Sequence, residues 1–180
     1  MTDTDQYIQR LRVSNPLREP YLRSAIQALQ LPEGSKGLDA GCGIGLQIPL
    51  LLGAVRPGGH VTGLDLRPEF LAEAERLANE SGLCGQVSFQ QGDVNRLPFG
   101  DETFDWVWSA DCVGYPAEEP LPLVRELARA VRPGGMVAIL VYSSQMLLPG
   151  YPVLEARLNA TSAGIAPFTG RMRPESHWLR

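Results

Sequence analysis

Lysine is nearly absent from this 180-residue chain: Lys36 is the only one, and arginine supplies the rest of the basic residues. With a formal net charge of -4, the chain presents no broad phosphate-binding surface, which argues against nucleic acid as a partner. Cysteine is scarce too. Cys42, Cys84 and Cys112 lie far apart, lack CxxC spacing and leave an odd thiol, so neither a disulfide framework nor a zinc site is expected, and a reducing cytoplasm is. No apolar run approaches bilayer length. The opening MTDTDQYIQR is acidic and polar where a signal peptide is basic and then apolar, so neither export nor membrane insertion is expected.

What is present fits one globular domain, with 44% apolar and 20% charged residues. Near the start, Ile8, Leu11 and Val13, then Leu22, Ala25, Ile26 and Leu29, recur at helical spacing. Asn15-Pro16 reads as a break between two helices, with Pro20 in the first turn of the second, making residues 1–34 a helical cap. Arg10, Arg12, Arg18 and Arg23 sit among acids and read as a solvated face. Short apolar strands then alternate with helices. Strands are expected at Leu38 to Ala40, Val61 to Leu66, Val87 to Gln90, Phe104 to Ser109 and Val137 to Tyr142. Helices are expected near Leu46 to Val55, Pro68 to Glu80 and Leu121 to Val131. Such alternation indicates parallel β-α-β units in a doubly wound α/β sheet with both faces covered. The pentapeptide VRPGG occurs at 55–59 and 131–135, each time between a helix and a strand. It reads as a helix-to-strand connector at the N-terminal edge of the sheet, away from the edge where ligands collect.

At the opposite edge the first strand runs into Asp39-Ala40-Gly41-Cys42-Gly43-Ile44-Gly45. Alternate glycines let main chain approach a ligand closely, but GxGxG is not the GxGxxG dinucleotide fingerprint. Asp39 stands where a dinucleotide would put its pyrophosphate; like charges there repel, so the ligand end is expected to be cationic. Asp65 ends the second strand, in position to accept from ribose hydroxyls, and Asp93 follows the third, in position to accept from an exocyclic amine. Each aspartate alone can equally be a helix cap or turn residue. Together they suit a ligand with a ribose, an adenine amine and ammonium and sulfonium cations, which is S-adenosylmethionine.

GLDAGCGIG (37–45), VTGLDL (61–66), GDVNRLPFGDETFDWVWS (92–109) and ELARAVRPGGMVAILVY (126–142) resemble the class I S-adenosylmethionine-dependent methyltransferases. The likeness is greatest to the small-molecule group that includes ubiquinone and menaquinone biosynthesis enzymes. The resemblance implies a Rossmann-like core over 35–145 with strand order 3-2-1-4-5. It implies that Gly41, Cys42 and Gly43 line the methionine end, Asp39 faces its ammonium, and Asp65 and Leu66 hold the ribose and flank adenine. Asp93 and Val94 would meet the adenine amine, and Ser109 would offer main chain near the cofactor. Gly45 is expected to be a packing glycine, and Phe99 and Phe104 to lie in the core.

The acceptor is less legible. The stretch Ser109-Ala110-Asp111-Cys112-Val113-Gly114-Tyr115 lacks the [DNS]PP[YFW] and Pro-Cys motifs of base-methylating relatives, so a small molecule is expected as substrate. Asp111 and Tyr115 are candidate contacts, with helix capping and packing as their alternatives. His177 is a candidate base, with surface packing as its alternative; His60 is at the wrong edge. The family's last two antiparallel strands are not evident after strand five, leaving an edge that a second subunit could pair. Residues 146–180 read as a lid or partial substrate region, within which Tyr151 and Phe168 offer apolar contacts. A noncatalytic cofactor-binding module and a nucleotide-dependent oxidoreductase are the competing readings.

Overall fold

The computed structural model describes residues 2–112, 121–141, 150–154 and 157. In chain order the elements are α1 (Asp3–Ala28), β1 (Lys36–Ala40), α2 (Ile48–Ala54), β2 (His60–Asp65), α3 (Pro68–Glu80), β3 (Val87–Gln91), β4 (Phe104–Ala110), α4 (Leu121–Arg129) and β5 (Val131–Leu140). The strands form one parallel sheet ordered β3-β2-β1-β4-β5, the order the resemblance implies. Asp39 of β1 lies opposite Gly63 of β2 on one side and Trp108 of β4 on the other.

Side chains alternate across the central strands, and so feed two cores. Leu38, Ala40, Leu64 and Val107 pack with Leu127 of α4 on one face. Val61, Trp106 and Trp108 pack on the other with Leu22 and Ile26 of α1, Leu51 and Leu52 of α2, and Ala78 of α3. Each large side chain so buried stabilises the fold by about 1.5 to 3 kcal/mol before entropy is set against it. Phe104 is buried in the first of these cores, and half-buried Phe99 meets it edge-on with centroids 5.0 Å apart.

Two expectations require correction. The N-terminal segment is one helix, not two, with Pro16 and Pro20 inside α1. Each proline removes a main-chain donor, which is why the stretch reads locally as a break. Contacts on both sides of the prolines hold the axis: Tyr7 stacks on Phe70 at 5.5 Å, Arg12 pairs with Glu73, Arg18 pairs with Asp111, and Leu22 and Ile26 are sunk in the core. Arg12 and Arg18 are therefore half-buried anchors rather than a solvated face, while Arg23 does pair on the surface with Glu19 at 2.6 Å.

The two VRPGG copies also differ. The first is a turn after α2 with a cis Arg56–Pro57 bond. The second lies inside β5, whose pairing with β4 jumps from Phe104↔Val131 to Trp106↔Met136, so 132–135 bulge out of the ladder. Both remain at the N-terminal edge, and Gly58 and Gly134 share a φ of 80°. Among the described residues no strand follows β5. The expectations for Tyr115, Tyr142, Phe168 and His177 lie outside the described residues.

Candidate cofactor site

The C-terminal ends of β1, β2 and β4 converge on the loop 41–45. The amides of Gly41 and Cys42 both donate to the Leu64 carbonyl, at 2.8 and 2.9 Å, which turns the chain across the top of β2. Gly41 has φ +81°, and a Cβ on it would stand 2.3 Å from the Cys112 sulfur, so this position is closed to any side chain. Gly43, at φ +55°, is the opposite case: a Cβ there would meet nothing within 4 Å, leaving main chain facing open space. Its amide donates to Asp65 Oδ2 at 2.9 Å, and the Arg67 amide donates to Oδ1 at 3.0 Å. Asp65 thus clamps the glycine loop to the end of β2. Gly45 lies against Ala74, with its would-be Cβ 3.0 Å from that residue's, as a packing glycine would.

Asp39 is 1% exposed, and its Oδ2 has no hydrogen-bond partner. Burial, then the charge of Asp65, pushes its carboxyl up to about 7. Burial pushes the Cys42 thiol well above its ordinary value, with Asp39 and Asp65 adding to the effect. The Cys112 thiol is pushed up to about 12, by burial first and then by Asp65, Asp39 and Asp93. The three strand-end carboxylates therefore share one electrostatic neighbourhood.

Asp93 is exposed, with Oδ1 accepting from the Asn95 amide and side chain, both at 2.8 Å. Val94 beside it is half-buried. Leu66, next to Asp65, is 63% exposed, an apolar side chain standing at the mouth of the site. Ser109 is wholly buried, and its hydroxyl donates to the Ala40 carbonyl at 2.8 Å, tying β4 to β1. Asp111 sits at φ +55°, its amide donates to Leu140 O at 2.8 Å and its carboxylate pairs with Arg18. Tyr151 is exposed. His60 bonds Ser88 at 3.0 Å at the other edge of the sheet. Among the described residues no group of side chains could hold a metal ion, and no helix is long and apolar enough to cross a membrane.

Sequence reasoning missed the wall of the site. The stretch of α1 from Thr4 to Arg18 spans from the start of α3 to the end of β4: Thr4 accepts from Arg67 at 2.9 Å, Tyr7 stacks on Phe70, and Arg18 reaches Asp111. The Arg67 guanidinium also lies 4.2 Å above the Phe70 ring. Burial raises the Tyr7 phenol, against the opposing influence of Arg10, Arg18 and Arg67. Tyr7, Leu11, Ser14 and Arg18 follow an i, i+4, i+7, i+11 spacing. That shared face becomes legible once the helix is known to run through Pro16.

Residues 38–139 match the family model described as a methyltransferase domain. The chain is 30% identical over 152 residues to the demethylmenaquinone methyltransferase of Bacillus cytotoxicus, covering 82% of this chain and 62% of that protein. It is 39% identical over 115 residues to the malonyl-[acyl-carrier protein] O-methyltransferase of Erwinia billingiae, covering 64% of this chain and 42% of that one. Among solved structures, it resembles a SAM-dependent methyltransferase from Aquifex aeolicus with a TM-score of 0.63 and 28% identity, over 74% of this chain and 70% of that chain. The chain spans less than two thirds of the length of these two curated relatives. These likenesses favour neither the oxidoreductase nor the noncatalytic module.

Proposed function

The chain belongs to the class I S-adenosylmethionine-dependent methyltransferase family, and on that premise we propose that it binds this cofactor over the glycine loop and methylates a small molecule. The observation that carries the reading is Asp39: a fully buried carboxylate oxygen without a partner, beneath main chain that is open at Gly43. A buried polar atom left unpaired is costly unless a ligand completes it. An ammonium group is the complement to a buried acid, and a pyrophosphate is not.

When bound, S-adenosylmethionine supplies a methyl group on a sulfonium, which leaves as a neutral sulfide when a nucleophile attacks in line. Asp39 holds the ammonium, and the Gly41–Cys42–Gly43 main chain lies along the methionine portion. Asp65 keeps the loop in place through Gly43 and Arg67 and offers its remaining lone pairs to ribose hydroxyls. Exposed Leu66 would cover one face of the adenine, and Asp93 and Val94 would meet its amine edge. Ser109 braces the floor through Ala40 and presents main chain near the cofactor. Because the transferred methyl bears little charge, orienting the nucleophile and excluding water are the main contributions left to the protein. α1 closes one side of the site for this purpose, and Asp111, Tyr115 and Tyr151 are assigned to the acceptor side.

The acceptor is a small molecule rather than nucleic acid, since the chain has a single lysine and a net charge of -4. Free thiols at Cys42, Cys84 and Cys112 suit a cytoplasmic setting. Among the described residues no strand pairs with the outer side of β5, the edge that a second subunit could pair. Titration calorimetry with S-adenosylhomocysteine and with NADH tests the cofactor: binding of the first and not the second is expected, and the reverse would overturn the reading. Transfer of tritiated methyl to a panel of small metabolites tests the acceptor class, against label appearing only in protein or RNA.

A further inference from the structure

Asp39 near the end of β1 and Asp65 at the end of β2 act on each other through charge, and they are not equivalent. Asp65 accepts main-chain N–H groups on both oxygens and so is equipped to carry its charge. Asp39 is deeper, and its Oδ2 accepts nothing. Among the described residues none donates to that oxygen. From β2 comes the Asp65 carboxylate; from the loop, the Cys42 thiol; from the end of β4, the Cys112 thiol; and beyond β3, Asp93, whose charge reaches the same pocket. Among the described residues, Arg18 pairs with Asp111, and Arg67 donates to Thr4 and lies over the Phe70 ring. A dry anion beside a second anion is costly, and taking up a proton is the cheapest relief.

A protonated Asp39 cannot give both oxygens to an arriving ammonium. We propose that the empty site holds Asp39 as the neutral acid, and that binding the amino-acid end of the cofactor expels this proton to solvent. The exchange balances: carboxylic acid plus ligand ammonium gives a carboxylate–ammonium pair plus one solvated proton. The site is then a proton-coupled receptor for a cation, tighter at neutral than at acid pH. The inference rests on the cofactor reading above and adds the charge state in which the site waits.

The test is calorimetric and needs no turnover. S-adenosylhomocysteine is titrated into the whole chain at pH 6 and pH 7.5, each in two buffers of different ionisation enthalpy, so that the heat reports protons released. With the free carboxyl near 7 and the bound one ionised throughout, about 0.9 proton should be released at pH 6 and about 0.2 at pH 7.5. Affinity should be about eightfold weaker at pH 6 by the same linkage. 5′-Methylthioadenosine, which keeps the nucleoside and lacks the ammonium, should bind without releasing a proton. Asp39→Asn should bind S-adenosylhomocysteine with no proton release at either pH and with an affinity independent of pH. Tight binding by the wild type without proton release at pH 6 overturns the proposal and spares the cofactor reading, and this holds even if the variant does not fold. Equal release with 5′-methylthioadenosine, or release surviving in Asp39→Asn, moves the proton to another group and overturns it as well. Failure of folded wild type to bind either nucleoside overturns the cofactor reading and the proposal together.

Discussion

Replacing Asp65 by alanine should destabilise the protein before any ligand is added. Its carboxylate accepts from the Gly43 amide at 2.9 Å and the Arg67 amide at 3.0 Å, so two hydrogen bonds to a charged acceptor are lost. Such bonds contribute about 1.5 to 3 kcal/mol each, and the lower figure suits a half-buried group, giving about 3 kcal/mol. Part is returned, because the Asp65 charge is among the influences that raise Asp39, Cys42 and Cys112, and removing it relieves that repulsion. A net loss of about 2 kcal/mol follows, or roughly 4 to 8 °C in Tm for a chain of this size. Asp65→Asn keeps one acceptor and should lose about half as much. Urea unfolding followed by the fluorescence of buried Trp106 and Trp108 measures the change without ligand. Cofactor affinity in the alanine variant should then fall by about a further 1 to 3 kcal/mol. A ligand-free midpoint that moves by less than the equivalent of about 0.5 kcal/mol would mean that Asp65 does not hold the glycine loop.

Two further outcomes depend on buried groups. A Cβ on Gly37 would stand 2.0 Å from the Trp106 indole, whose Nε1 donates to Ser35 Oγ at 2.9 Å; Gly37→Ala should therefore cost about 1 to 3 kcal/mol alone and little in a Trp106→Leu background, whereas strict additivity in that double-mutant cycle would show that the indole does not require the glycine. Asp39 has its folded carboxyl raised from 3.8 to about 7, so the native state binds the extra proton between those values, and the stabilisation is complete below 3.8 and lost as pH rises through 7. Asp39→Asn lacks this dependence, and its stability relative to wild type in the ligand-free state should improve by roughly 2 to 3 kcal/mol between pH 5 and pH 8, as read by denaturant titration; a gap that is constant or shrinks is the contrary result.

Repeating short-range patterns made the core of this fold legible in the sequence alone. Apolar strands alternating with amphipathic helices imply a parallel sheet, because each strand is too short to be buried except between helical layers. GCGIG after the first strand, with Asp65 and Asp93 after the next two, marks the ligand edge, because β-α-β connections return each strand end to the same side. None of this needs contacts distant in the chain. By contrast, nothing within α1 says that it runs through Pro16 and Pro20, since the contacts that anchor it come from Phe70, Glu73 and Asp111. The two VRPGG copies are identical in sequence and differ in structure, because one is free to turn while the other is drawn into pairing with β4. The same holds for the aspartates. Their positions at the strand ends are sequence information, but which one meets donors and which is left dry depends on whether Gly43 and Arg67, or Gly63 and Trp108, lie alongside. Residue type and order determined where carboxylates gather; only the packed environment, through solvation and hydrogen bonding, decided which of them would be buried with an oxygen left without a partner.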